Sequence, residues 1–366
     1  MVESEPLLGG AVSPWGDRSE PVLRCGNTNC GGCGMSIALS FLGRAAADRP
    51  IQLVIPACCA IVAAGPFPYS GFGAPVAAST FAAAAAMATG FAHVARLNGE
   101  KTRVVVFAGD GGTFDIGMAT LSAAAERDED ILYICYDNEI YGNTGGQRSS
   151  ATPRGASTST TPRGKELEKK EIVAIMAAHR IPYVATVSLA PPSAALRKLR
   201  YALDARGFRF LHILSPCPTG WKSEPADGIE LVRLAVKSGL YPVYEVFEGR
   251  RVVLNVESEL SRDALERYFV LQGRFRKGGV DVGIVYAAAR RRWGELRRAA
   301  EEVSPGQGNE SPCESPERQQ AVASCWFIAC SSMRCAYPLY ISGVRTASCV
   351  TRKSAPDFIG GFAIST

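Results

Sequence analysis

Histidine is scarce in this 366-residue chain. The three present, His93, His179 and His212, stand at no ligand spacing from one another, so core or surface roles are expected for them. A dense basic run is also missing. The net charge is only +5, and Arg290–Arg298 is interrupted by Trp293 and Leu296, as on an amphipathic surface helix. A nucleic-acid partner is not expected from that pattern. Long apolar runs are absent too. The most apolar stretch, Phe81–Ala95, is mostly alanine, contributes little transfer energy and contains His93, which excludes a reading as a membrane span. The first ten residues carry Glu3 and Glu5 without a basic region leading into an apolar core. No secretory signal is expected, and the expected compartment is the cytoplasm.

What is present supports a large core, because hydrophobic residues make up 47% of the chain and charged ones only 20%. Short β-branched runs alternate with helical stretches. Strands are predicted at Ile51–Ile55, Arg103–Ala108, Ile131–Tyr136, Tyr183–Val187 and Phe210–Ser215. Helices are predicted at Ser36–Ala47, Ser79–Leu97, Gly117–Arg127, Glu166–Arg180 and Ala194–Ala205, with Asn98-Gly99 stopping the second. This alternation indicates an α/β fold, a parallel sheet with helices on both faces. Gly142–Gly164 and the proline-rich Pro216–Asp227 are expected to be loops, the first a long surface loop. A short helix at Ile229–Lys237, a hairpin-like pair at Tyr241–Phe247 and Arg251–Asn255, and helices at Ser261–Phe269 and Ala287–Val303 follow. From Ser304 the pattern is lost: the last 63 residues hold five cysteines and ten serines without periodicity. The expected organisation is an N-terminal extension (1–24), one functional domain (25–303) and a disordered or non-native tail (304–366).

The chemistry-bearing segment begins where the strand Val104–Ala108 runs into Gly109-Asp110-Gly111-Gly112-Thr113. Glycines at a strand end let the backbone approach a phosphate, and the next helix presents N–H groups to it. An aspartate there would repel a diphosphate unless it held Mg²⁺. Asn138, at the end of the next strand with 26 residues between it and Gly111, can supply a second hard oxygen, and the Ile140 carbonyl a third. A plain tight turn is one rival reading. A dinucleotide fingerprint is another, but its third glycine is missing here.

The run from Tyr136 to Ser149, Tyr-Asp-Asn-Glu-Ile-Tyr-Gly-Asn-Thr-Gly-Gly-Gln-Arg-Ser, resembles the coenzyme-binding segment of pyruvate (2-oxoacid):ferredoxin oxidoreductase β subunits. The resemblance implies the thiamine-diphosphate-binding fold. It implies that Asp110, Asn138 and the Ile140 carbonyl bind Mg²⁺, that Gly109, Asp110, Gly111 and Gly112 contact the diphosphate, and that Tyr141 borders the coenzyme. Asn143 would lie by the thiazolium as the catalytic residue, where an amide can hydrogen-bond a substrate-derived oxygen without adding charge.

Twelve cysteines are many for a reducing compartment and point to metal ligation or buried thiols. Cys30-Gly-Gly-Cys33 taken alone fits a redox dithiol, half a zinc site or half a cluster site. Further cysteines follow predicted strands, in Pro56-Ala57-Cys58-Cys59 and in Ser215-Pro216-Cys217-Pro218-Thr219-Gly220-Trp221. A parallel sheet brings such strand ends to one edge, beside the phosphate loop. The resemblance extends to these loops and implies a [4Fe–4S] cluster on Cys30, Cys33, Cys59 and Cys217. The family carries Gly-Cys where this chain has Cys58-Cys59; the spacing to Pro68-Tyr69 and Pro75 favours Cys59, which would then lie beside the coenzyme as well, with Cys58 as the other candidate. Cys135 falls inside a strand and reads as core, and Cys25 as an ordinary thiol.

Two C-terminal segments, Gly239–Glu245 and Leu271-Gln272-Gly273-Arg274-Phe275, are also similar to the family. The reaction implied is oxidative decarboxylation of pyruvate, with acyl transfer to coenzyme A and electrons leaving singly through the cluster to ferredoxin. The implied partners are an α subunit carrying the pyrimidine-binding half of the coenzyme site, and γ and δ subunits. A 2-oxoisovalerate enzyme shares these motifs. A non-oxidative thiamine enzyme shares only Gly-Asp-Gly and the asparagine, and has no use for four clustered thiolates.

Overall fold

Strand residues that alternate between two buried faces need helices on both sides, and the runs between the strands supply them. The computed structural model describes residues 21–302 apart from 48, 64, 66–69 and 278. The expectations for residues 1–20, for Pro68 and Tyr69, and for the tail from Ser304 lie outside the described residues. The first half comprises α1 (Gly34–Ala45), β1 (Ile51–Pro56), α2 (Cys59–Val62), β2 (Val76–Ser79), α3 (Ala84–Leu97), β3 (Arg103–Gly109), α4 (Met118–Glu126) and β4 (Ile131–Asp137). Next come α5 (Ile172–Ala178), β5 (Tyr183–Val187), α6 (Pro192–Asp204), β6 (Arg209–Leu214) and α7 (Pro218–Trp221). The chain continues with α8 (Gly228–Lys237), β7 (Val243–Phe247), β8 (Arg251–Val256), α9 (Arg262–Val270) and α10 (Val282–Glu302).

The eight strands form one sheet in the order β2-β1-β3-β4-β6-β5-β7-β8. The first six are parallel, and β7 and β8 close the edge as an antiparallel hairpin. Alternation sorts the core. Leu53, Ile55, Val105, Phe107, Leu132 and Ile134 pack on one face with Leu39, Leu42 and Leu199 of α1 and α6. Val104, Val106, Ala108, Tyr133 and Cys135 pack on the other with Ala85, Ala88, Leu121 and Met176 of α3, α4 and α5. A smaller core joins Trp221, Leu231, Leu265, Tyr268 and Phe275.

The register aligns Gly109 with Tyr136 and Asp137 with Leu214, so β3, β4 and β6 end together. The chain leaves β1 to one side for β2 and returns past it to β3. The crevice between the carboxyl ends of β1 and β3 is therefore the topological switch point, where open α/β sheets take ligands.

The expected parallel sheet with helices on both faces is present, and local details differ. Val76–Ser79, not foreseen, is a strand because it pairs with Leu53–Pro56, and α3 starts only at Ala84. The helix predicted from Glu166 begins at Ile172. Residues before it are tied down outside the helix by Lys165, which donates to the carbonyls of Ser150 and Thr152 at 3.0 and 2.6 Å, and by Lys169, which reaches Asp137 and Glu139. Gly142–Gly164 is not simply a surface loop: Ser149, Ala151, Thr152, Ala156 and Ser157 are buried. Pro216–Asp227 contains the short helix α7 and a 3₁₀ turn at Pro225–Asp227.

Phe107 is fully buried and stacks on Tyr136 with ring centroids 4.9 Å apart. Phe107→Ala is expected to lower the unfolding free energy by about 3–5 kcal/mol in urea titration. A loss below about 1 kcal/mol would contradict this packing.

Candidate active site

Four loops leave the carboxyl ends of β1, β3, β4 and β6 and meet. After β3 the chain turns at Asp110, which is 2% exposed, into a π-helical turn at Gly111–Asp115. Burial, then the nearby Asp137 charge, pushes the Asp110 carboxyl well above its ordinary range. After β4, Glu139 takes a left-handed φ of 62°. The reversal turns the Asn138 side chain and the Ile140 carbonyl to the same point. One terminal atom of the Asn138 amide lies 2.9 Å from Asp110 Oδ1 and 2.9 Å from the Ile140 carbonyl oxygen. With nitrogen there, the amide donates to both oxygens; with its oxygen there, three hard oxygens converge, an arrangement a cation stabilises. In octahedral Mg²⁺ coordination, with bonds of about 2.0–2.1 Å, adjacent oxygens are about 2.9 Å apart. Both distances from the Asn138 amide fit that edge length.

Gly111 permits a close approach: a Cβ there would fall 2.0 Å from the Tyr141 ring. Tyr141 meets Phe81 edge-on, with centroids 6.0 Å apart, and donates its hydroxyl to Asp115 Oδ2 at 2.5 Å. Gly109 is buried against the Tyr136 ring, and Gly112 against Phe81 and Pro56. Asn143 is exposed on the same loop, and the Cys59 thiol donates to its Oδ1 at 3.2 Å. That contact joins the segment after β4 to the cysteine-bearing loop after β1.

The seven described cysteines are all free thiols. Gly34 N donates to the Pro216 carbonyl at 2.9 Å, and Gly34 lies so close that an added Cβ would meet Pro216 at 2.6 Å. This sets the Cys30–Cys33 loop against the Cys217 loop. Gly220 N donates to Cys217 Sγ at 3.3 Å, and the Thr219 hydroxyl lies 4.0 Å from Cys30 Sγ. Burial raises the Cys59 thiol to about 12, with further increments from Cys217, Cys58, Cys33 and Cys30. Burial likewise raises Cys217 to about 11, partly offset by the Gly220 hydrogen bond and increased by Cys33 and Cys30. Cys30, Cys33, Cys59 and Cys217 thus share one electrostatic neighbourhood. Cys58 also acts on Cys59, but its own thiol is held against the Tyr136 hydroxyl and the Gly109 backbone. Cys135 is fully buried in the core and Cys25 is exposed. Among the described residues, no three His, Cys, Asp or Glu side chains close to the spacing of ligands around a single ion. A cubane is wider than one ion, and four soft, neutral thiols without disulfides are a donor set suited to it.

A buried ionic layer behind these loops was not foreseen. Asp137 accepts from His212 Nε2 at 2.8 Å and from Lys169. Lys169 also pairs with Glu139 at 3.0 Å, and Glu139 with Arg274 at 2.6 Å. Burial alone would raise Asp137, but Lys169 and then His212 outweigh it and hold the carboxyl at about 2. Lys169 lies in a polar stretch that gives no sequence signal. Asp137 and Glu139 flank Asn138, and that adjacency was the only available hint.

The fold and this corner define a thiamine-diphosphate-binding module. Residues 60–213 match the family model described as thiamine pyrophosphate enzyme, C-terminal TPP binding domain. Ketoisovalerate oxidoreductase subunit VorB of Pyrococcus abyssi is 40% identical over 288 residues, covering 75% of this chain and 92% of its own length. Pyruvate synthase subunit PorB of Methanothermobacter marburgensis is 40% identical over 264 residues, covering 70% and 90%. A solved 2-oxoglutarate:ferredoxin oxidoreductase from Magnetococcus marinus shares the fold, with a TM-score of 0.51, 22% identity, and coverage of 75% of this chain and 97% of that one. The chain belongs to the β-subunit family of the 2-oxoacid:ferredoxin oxidoreductases.

Lys169→Met leaves Asp137 without its main cationic partner, and denaturant titration at neutral pH should show a loss of about 3–5 kcal/mol. In the native chain the depressed Asp137 stabilises above the ordinary carboxylate range, and that contribution disappears as pH falls toward 2. The variant should be most destabilised at neutral pH and recover relative to wild type in acid; equal stability at neutral pH would contradict the pairing.

Proposed function

We propose that this chain is the coenzyme- and cluster-bearing subunit of a pyruvate:ferredoxin oxidoreductase that forms acetyl-CoA and CO₂. The single observation carrying this reading is the contact between Cys59 and Asn143, at 3.2 Å, where the thiol set touches the loop that also supplies Asn138 and Ile140. Thiamine diphosphate, when bound, supplies an electron sink for the decarboxylating substrate, and a [4Fe–4S] cluster an acceptor that takes electrons one at a time. Asp110, Asn138 and the Ile140 carbonyl would hold Mg²⁺. The backbone from Gly109 to Gly112 would face the diphosphate, with Tyr141 packed over Gly111. Asn143 would present its amide to the substrate, and Cys30, Cys33, Cys59 and Cys217 would hold the cluster. A non-oxidative decarboxylase would leave the four gathered thiols without a use.

The equal likeness to a ketoisovalerate oxidoreductase subunit, 40% identical over 288 residues, supports 2-oxoisovalerate as the second substrate reading. The described residues form one half of a coenzyme site, and the reading assigns the aminopyrimidine-activating half to an α subunit. Support comes from α3, which leaves Met87, Phe91, Val94 and Leu97 exposed at helical spacing, as a surface covered by a neighbouring subunit would. Electrons would pass through γ- and δ-containing partners to ferredoxin. Among the described residues no helix is long and apolar enough to cross a membrane. Free thiols suit the cytoplasm, where this reading places the reaction. The functional unit is assigned to residues 25–303.

Asp110→Ala should weaken Mg²⁺-dependent thiamine diphosphate binding by on the order of 100-fold in titrations of the complex. Cys217→Ser should remove the reduced-cluster EPR signal after anaerobic purification, while Cys25→Ser retains it. Full cluster signal in Cys217→Ser would sink the ligand assignment. Relative turnover of pyruvate, 2-oxoisovalerate and 2-oxoglutarate by the complex decides the substrate; clear preference for either of the last two would overturn pyruvate.

A further inference from the structure

The Leu271–Phe275 segment supplies none of the proposed ligands, yet it packs behind both sets. Its 3₁₀ turn at Gly273–Phe275 supports two left-handed residues, Glu139 with φ 62° and Lys222 with φ 53°. Such backbone is uncommon outside glycine and persists where neighbouring groups hold it. Gly273 N donates to the Lys222 carbonyl at 2.9 Å. Arg274, whose side chain is 2% exposed, donates from Nη2 to Glu139 Oε2 at 2.6 Å, and its guanidinium lies over the Trp221 ring at 4.3 Å. Gln272 Oε1, at 2.9 Å from Nε, and the Tyr268 hydroxyl, at 3.3 Å from Nη2, fix the guanidinium plane.

The two contacts lead to the two proposed sites. Glu139 sits between Asn138 and Ile140, so its reversed backbone decides whether both can face Asp110. Trp221 ends the Cys217 loop, where its N–H donates to the Cys217 carbonyl at 2.7 Å. Its indole Nε1 also donates to the Asn138 carbonyl at 2.8 Å. One cation thus braces the coenzyme loop through an ion pair and the cluster loop through a stacked indole, and the indole bonds the two loops together.

We propose that Arg274 is a positioning residue that sets the cation-binding loop and the Cys217 loop relative to one another. This rests on the function proposed above. Losing a fixed partner behind a metal ligand typically weakens metal affinity 10–100-fold. The guanidinium lies over the indole that closes the Cys217 loop, so its positive charge also stands beside the proposed cluster site. A nearby positive charge favours the more negative, reduced form of a cluster, so its removal lowers the midpoint potential.

The test uses the whole complex, purified anaerobically, with Mg²⁺ and thiamine diphosphate titrated by calorimetry and the cluster potential followed by EPR. Arg274→Met should weaken Mg²⁺-dependent coenzyme binding by about 10-fold or more and make the cluster potential more negative. Trp221→Phe keeps an aromatic plane but loses the N–H, and should weaken coenzyme binding while the cluster still assembles. An Arg274→Met complex with wild-type affinity, or with wild-type potential, overturns the inference even if its melting temperature falls. Wild-type affinity in Trp221→Phe overturns the indole link. A wild-type complex that binds no coenzyme and carries no cluster overturns the proposed function, and this inference with it.

Discussion

Parallel register carries the site. β1, β3, β4 and β6 run in one direction, and the pairing that aligns Gly109 with Tyr136 and Asp137 with Leu214 ends three of them at one level. Cys59, Asp110, Asn138 and Cys217 each follow a strand by a few residues, so a shared edge brings them together although 158 positions separate the first from the last, as 217 − 59 gives. The strands meet this demand because their residues are apolar on both faces and have helices to bury them. A change of register would move each side chain to the opposite face of the sheet and dissolve the site with the core.

Charge burial is the second constraint, and it follows from the first. The edge that gathers Asp110, Asp137 and Glu139 removes carboxylates from water, which is costly unless cations accompany them. Lys169 and Arg274 supply two cations from distant parts of the chain. Asp110 is different. Its partner there is the Ser149 hydroxyl, and burial raises its carboxyl well above the ordinary range. Within the ionic layer it is the carboxylate left facing the Asn138 amide and the Ile140 carbonyl. The thiols show the same logic, since each would repel the others once ionised, and the positively charged iron core of the proposed cluster would offset that repulsion.

Much of this was legible in the sequence. Gly109–Gly112, Asn138, Cys59 and Cys217 lie at strand ends, and strand ends are what β-branched periodicity marks well. The short strand Val76–Ser79 was not, because four residues of Val, Ala and Ser carry too little pattern and become a strand only by pairing with β1. Lys169 and Arg274 were hidden for another reason. Lysine and arginine in polar segments read as solvent-facing, and their burial depends on carboxylates more than thirty positions away in Asp137 and more than a hundred in Glu139. The folding of 142–164 onto the site escaped as well, since its buried side chains are small, from alanine, serine and threonine, and give no apolar period.

The most direct measurement is iron anomalous scattering from crystals of the complex grown anaerobically. Density for one iron cluster bounded by Cys30, Cys33, Cys59 and Cys217, beside the loop that carries Asn143, is the expected result. Iron bound by Cys58 in place of Cys59, or iron away from this edge, would contradict the proposed convergence of sulfur and coenzyme on which the proposed function rests.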